Sequence, residues 1–147
     1  MTLLSRAARV LLGALFLWAS ASKVPDMAGF AESVANYRIV PPALVPFTAS
    51  ALVGLEMAAG IALMVNVWAR AAALLLGALL AAFTVGLASA LARGIDLACG
   101  CFGGTDAATW WTVLRDLVLL GCALGVAASS PSPPPSPSPP LDPARAP

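Results

Sequence analysis

From Ala71 to Ala92 the chain carries no charged residue, and Arg70 and Arg93 stand at its two ends. A hydrocarbon core of about 30 Å asks for roughly 20 mostly apolar residues in one helix, because lipid offers backbone groups no partners outside the segment. Three further stretches satisfy the same demand. Ala7 to Val24 lies behind Arg6 and Arg9 and ends at Lys23; Pro46 to Val67 carries one charge, Glu56, at its middle. Thr109 to Ala128 holds Arg115 and Asp116 in its first two turns. The expected fold is an all-α integral membrane protein, a four-transmembrane-helix bundle over residues 1–128. Composition agrees. Of 147 residues, 60% are hydrophobic and 10% charged, where a soluble domain carries about a quarter charged.

The same composition excludes whole classes of function. A net charge of +1 leaves no basic stripe for nucleic acid. Histidine is absent, so His-ligated haem, the common zinc sites and Ser-His or Cys-His catalysis are excluded.

The first span has a second reading. Arg6, Arg9, an apolar run and Ala19-Ser20-Ala21 also fit a cleavable signal peptide. Against it, an even bundle buries Glu56 and Arg115 more easily than three helices would. Between the first two spans, Met27, Phe30, Val34 and Tyr37 fall at helical spacing, with Asp26, Glu32 and Asn36 between them. This suits a short interfacial helix stopped by Pro41-Pro42, or else an irregular cap. The second and third spans turn on a few residues around Asn66 and form a tight hairpin. Residues 129–147 turn almost wholly to Ser and Pro, with nine of the chain's 13 prolines. That tail is expected to be disordered and partly polyproline II.

Orientation follows from basic residues. With the N-terminus inside, that side holds Arg6, Arg9, Arg70 and Arg145, against Arg38 and Arg93 outside. Lys23 and Arg115 sit at or within spans, where internal partners occupy them. The balance favours N-in and C-in, with the first and third loops outward.

The third loop carries the reactive groups, Cys99-Gly100-Cys101-Phe102-Gly103. Two cysteines separated by one glycine can close a small, strained disulfide, and strained exposed disulfides are the oxidising ones. Gly100 permits the backbone angles of such a ring, and Gly103 and Gly104 let a partner thiol approach. A redox-active dithiol competes here with a structural bridge, a Cu(I) thiolate site and two unrelated thiols. Cys122, mid-helix, reads as a small buried hydrophobe. Glu56 lies roughly 15 Å deep and Arg115 roughly 9 Å deep on the same side, at 1.5 Å rise per residue. The two are expected to pair, with Lys23 ending its helix nearby. Either they fix helix register, or Lys23, Glu56 and Arg115 form a proton or quinone site. Trp110 and Trp111 read as interfacial anchors.

These residues resemble the MauE branch of the DoxX-like membrane proteins. The resemblance rests on Phe16-Leu17-Trp18-Ala19-Ser20-Ala21-Ser22-Lys23, Tyr37-Arg38-Ile39-Val40-Pro41, the Glu56 helix, and Arg93 through Gly103. Trp110-Trp111-Thr112-Val113-Leu114-Arg115-Asp116 completes it, where the family more often has Asn after the arginine. It covers about Leu4 to Ala128, and Cys99-Gly100-Cys101-Phe102-Gly103 is its most specific part. The resemblance implies a four-helix protein of the bacterial inner membrane, linked to methylamine utilisation. It also implies help with disulfide formation in the small subunit of methylamine dehydrogenase, beside a thioredoxin-like partner. Cys99 and Cys101 would then be the catalytic pair, exchanging with that partner or a disulfide-bearing client. A quinone is one candidate cofactor, and haem is not expected. A non-catalytic membrane scaffold and a small transporter using Glu56 are the alternatives.

Overall fold

The computed structural model describes residues 3–94 and 109–130. Its elements are α1 (Leu3–Lys23), α2 (Met27–Asn36), α3 (Val45–Val65), α4 (Ala69–Ala92) and α5 (Trp110–Ser129), and the described residues contain no strand. α1, α3, α4 and α5 are long and apolar enough to cross a membrane. They coincide with the expected spans to within a few residues.

Each boundary has a local cause. Pro25 has no amide hydrogen to continue α1, and a single 3₁₀ turn, Val24–Asp26, redirects the chain. Asp26 then caps α2, its Oδ1 accepting from the Gly29 amide at 2.9 Å. Phe30, Val34 and Tyr37 turn inward from α2 and the residue following it, as their spacing predicts. The helix reading of this segment holds over the irregular cap. The reversal between α3 and α4 uses two left-handed residues, Asn66 at φ 61° and Trp68 at φ 49°. The Val67 amide closes back on the Ala62 carbonyl at 3.0 Å, a six-to-one bond that satisfies the end of α3. At the start of α5, Thr109 and Thr112 cap each other reciprocally.

α1 packs chiefly along α3, and α4 along α5; lesser contacts of α3 with α4 and of α1 with α5 close the bundle. The α1–α3 crossing depends on glycine. A Cβ at Gly13 would stand 3.0 Å from the Gly60 carbonyl, and one at Gly60 would stand 3.1 Å from the Gly13 carbonyl. Small residues let membrane helices approach this closely.

The two ends of the bundle differ. Toward Asn66, the interior is Leu12, Leu63, Ala73, Leu76, Ala123 and their neighbours. Toward Lys23, α2 lies against α3 through Phe30, Val34, Ala49 and Val53, and Tyr37, Leu87, Ala90 and Val113 form a further cluster. Around the outside, Leu11, Phe47, Val85, Leu114 and Val118 are exposed. In water such a surface would aggregate; in lipid it is the natural one.

Candidate functional site

Lys23 closes the last turn of α1, and its ammonium meets Glu56 in the middle of α3. Lys23 Nζ lies 2.6 Å from Glu56 Oε2, and the two side chains are 2% and 4% exposed. At that separation the contact is a charge-assisted hydrogen bond, largely removed from solvent. The ammonium also stands 5.0 Å from the centre of the Phe30 ring, within cation–π range, so α2 roofs the pair. Ser20, one turn before Lys23, is fully buried and donates to the Phe16 carbonyl at 2.8 Å.

The expected pairing of Glu56 with Arg115 is corrected: Lys23 is the partner. Depths counted along single helices say nothing of which helices adjoin. α3 packs on α1, whereas α5 packs on α4 and, less, on α1. Arg115 instead turns to its own neighbour, donating from Nε (3.2 Å) and Nη2 (3.0 Å) to Asp116 Oδ1. Its side chain is half-exposed while that of Asp116 is buried. Lys23, Glu56 and Arg115 therefore share one end of the bundle, in two ion pairs.

Asp116 is the residue that sequence reasoning passed over. It lies in register with Val113, Ala123, Val126 and Ala127, the buried stripe of α5. That periodicity was the available signal, obscured by the more conspicuous arginine beside it. Asp116 and Glu56 line one cavity of about 20 Å³, with Phe16, Ala19, Leu80 and Phe83 among its other walls. A second buried charge was also missed. Arg9, read as a flanking charge, is buried, and its Nε and Nη1 have no partner among the described residues.

Cys99, Gly100, Cys101, Phe102 and Gly103 lie outside the described residues. The segment that contains them joins Gly94, after α4, to Thr109, before α5. Those anchors stand at the Lys23 end, where Leu87 and Ala90 meet Val113. Cys122 is corrected: it is exposed, not buried. It sits one position off the buried stripe, beside a shallow groove lined by Ser5, Ala8 and Gly125. Trp110 and Trp111 are exposed at the start of α5, where interfacial anchors belong.

Four apolar spanning helices around a buried lysine–glutamate pair define a small multi-pass membrane protein. The family model for methylamine utilisation protein MauE matches residues 1–129. The chain belongs to the MauE family. It is similar to methylamine utilization protein MauE of Paracoccus denitrificans, 36% identical over 129 residues, covering 86% of this chain and 69% of the relative. The same figures hold for methylamine utilization protein MauE of Paracoccus versutus. No solved structure matches the chain.

Proposed function

We propose that the protein is the membrane component of a thiol–disulfide exchange system serving methylamine utilisation, with Cys99 and Cys101 as its reactive pair. The observation that carries this reading is a Cys-Gly-Cys run between two spanning helices of a chain that belongs to the MauE family. Methylamine utilisation is what its Paracoccus relatives are named for. In the oxidising direction, a client thiolate attacks one sulfur of the Cys99–Cys101 disulfide and expels the other as thiolate. The second client thiolate then resolves the mixed disulfide. The client gains a disulfide, and Cys99 and Cys101 end as thiols. The client is a disulfide-bearing protein or a thioredoxin-like intermediary. The loop faces outward from a bacterial inner membrane, with both termini inside, because disulfides persist on that side and the basic residues favour that orientation. The Lys23–Glu56 pair holds the bundle beneath the loop.

Mass-tagging of thiols with and without reductant tests the chemistry. Cys99→Ser and Cys101→Ser are each expected to abolish client oxidation. Native cysteines that both alkylate in fresh membranes without reductant would exclude a resting disulfide. Orientation is tested in intact cells with an impermeant thiol reagent, on Thr105→Cys and Asn66→Cys. The first is expected to label and the second to stay dark; the reverse would place the native pair in a reducing compartment.

A further inference from the structure

The Asp116 carboxylate is 2% exposed. Its Oδ1 accepts two hydrogen bonds from Arg115, while its Oδ2 has no partner among the described residues. A buried acceptor left unpaired is costly in any protein interior, and in a lipid-embedded bundle no solvent compensates it. The cavity beside it gives the answer a size. At about 20 Å³ it exceeds the roughly 10–15 Å³ that one water requires and is too small for an organic ligand.

Charge settles the chemical type. Among the described residues, the charged side chains that line the cavity are Glu56 from α3 and Asp116 from α5, and each is paired with a cation, Lys23 from α1 and Arg115 from α5. α4 contributes only Leu79, Leu80 and Phe83 to the walls. A metal ion would unbalance the set, and the walls offer too few oxygens to replace its hydration shell. Each carboxylate is already held by a cation, Glu56 by Lys23 and Asp116 by Arg115, and a carboxylate so held offers acceptors to the cavity. The occupant must therefore be neutral, small and able to donate twice.

We propose that a single water molecule occupies this cavity, donating one O–H to Asp116 Oδ2 and the other to the Glu56 carboxylate. It joins the Lys23–Glu56 and Arg115–Asp116 pairs into one hydrogen-bonded network across α1, α3 and α5. Two helices that scarcely touch, α3 and α5, thereby become coupled. This site stands apart from the cysteine chemistry and holds whether or not the loop is redox-active.

Two measurements on the full chain in detergent decide it. Radiolytic hydroxyl labelling with mass spectrometry reads water held inside a protein. Phe16, a buried wall of the cavity, is expected to be labelled well above Leu63, a fully buried residue of the Asn66 half. An unlabelled Phe16 overturns the proposal outright. Ala19→Val fills the cavity with apolar atoms. In a dry cavity such filling stabilises; here it expels the water and strands Oδ2. The variant is expected to cut Phe16 labelling several-fold and to lower the thermal midpoint. A midpoint unchanged or raised, or Phe16 labelling that persists, overturns the proposal. Should Ala19→Val fail to fold, the wild-type labelling decides alone.

Discussion

The half of the bundle near Asn66 and the half near Lys23 solve the same packing problem with opposite materials. The first joins α1, α3, α4 and α5 through alanine and leucine, with Leu63, Ala73 and Leu76 wholly enclosed and Arg9 the one buried charge among its described residues. The second interrupts that core with Lys23, Glu56 and Asp116. Dispersion and close approach hold most of the first together. The second depends on partners, because each charge is tolerable only while its counterpart is in place. An apolar core degrades gradually when atoms are removed, whereas a paired core fails when one member is lost. The polar half is thus the more demanding to maintain, and it is the half to which the cysteine segment is anchored.

The sharpest way to break this contrast is to strand one charge. Glu56→Gln and Lys23→Met should each cost about 3–5 kcal/mol, the usual consequence of breaking a buried pair. The double variant Lys23→Met/Glu56→Leu should recover most of that loss. Thermal unfolding in detergent reads all three, and strictly additive losses would show that the two residues act independently. Next in size comes truncation in the apolar half. Leu76→Ala should cost about 2–5 kcal/mol, and because no partner is stranded, a larger residue elsewhere in the same cluster can restore part of it. If Leu76→Ala proves more damaging than Glu56→Gln, the ordering of the two halves is inverted.

Close approach offers a smaller effect. Gly60→Ala places a methyl group 3.1 Å from the Gly13 carbonyl and should destabilise by about 1–3 kcal/mol, as overpacking does. Gly121→Ala meets nothing within 4 Å and should be neutral or mildly stabilising, since alanine is the better helix former. Equal behaviour of the two would remove the glycine crossing from the account. Least of all, Cys122→Ser should leave both the thermal midpoint and client oxidation unchanged, because Cys122 is on the exposed face.

The spans were plain in the sequence because charges bracket them: Arg70 and Arg93 enclose α4 almost to the residue. The short α2 was equally readable from Phe30, Val34 and Tyr37, whose spacing admits one buried face. What the sequence withheld was lateral neighbourhood. Depth along an axis brought Glu56 and Arg115 within reach of each other, but only the assembled bundle shows that α3 lies beside α1 and so brings Lys23 to Glu56. The same ignorance misplaced Cys122: one step along a helix swings a side chain by about 100°, from the stripe of Ala123 to the surface. The burial of Arg9 and Asp116 was hidden for a related reason. Each sits near a span end, where charges are usually solvated, yet each falls on the inward stripe of its helix.

The left-handed turn at Asn66 and Trp68 bears on how the chain enters its membrane. Only residues 66–68 separate α3 from α4, too little chain to let one span settle while the other waits in water. The two spans are thus suited to entering the membrane as one hairpin. α1 precedes both in the chain, so Lys23 is synthesised before Glu56. The counter-charge of Glu56 is thus made before the acidic span itself, and chain order favours the pairing of α1 with α3.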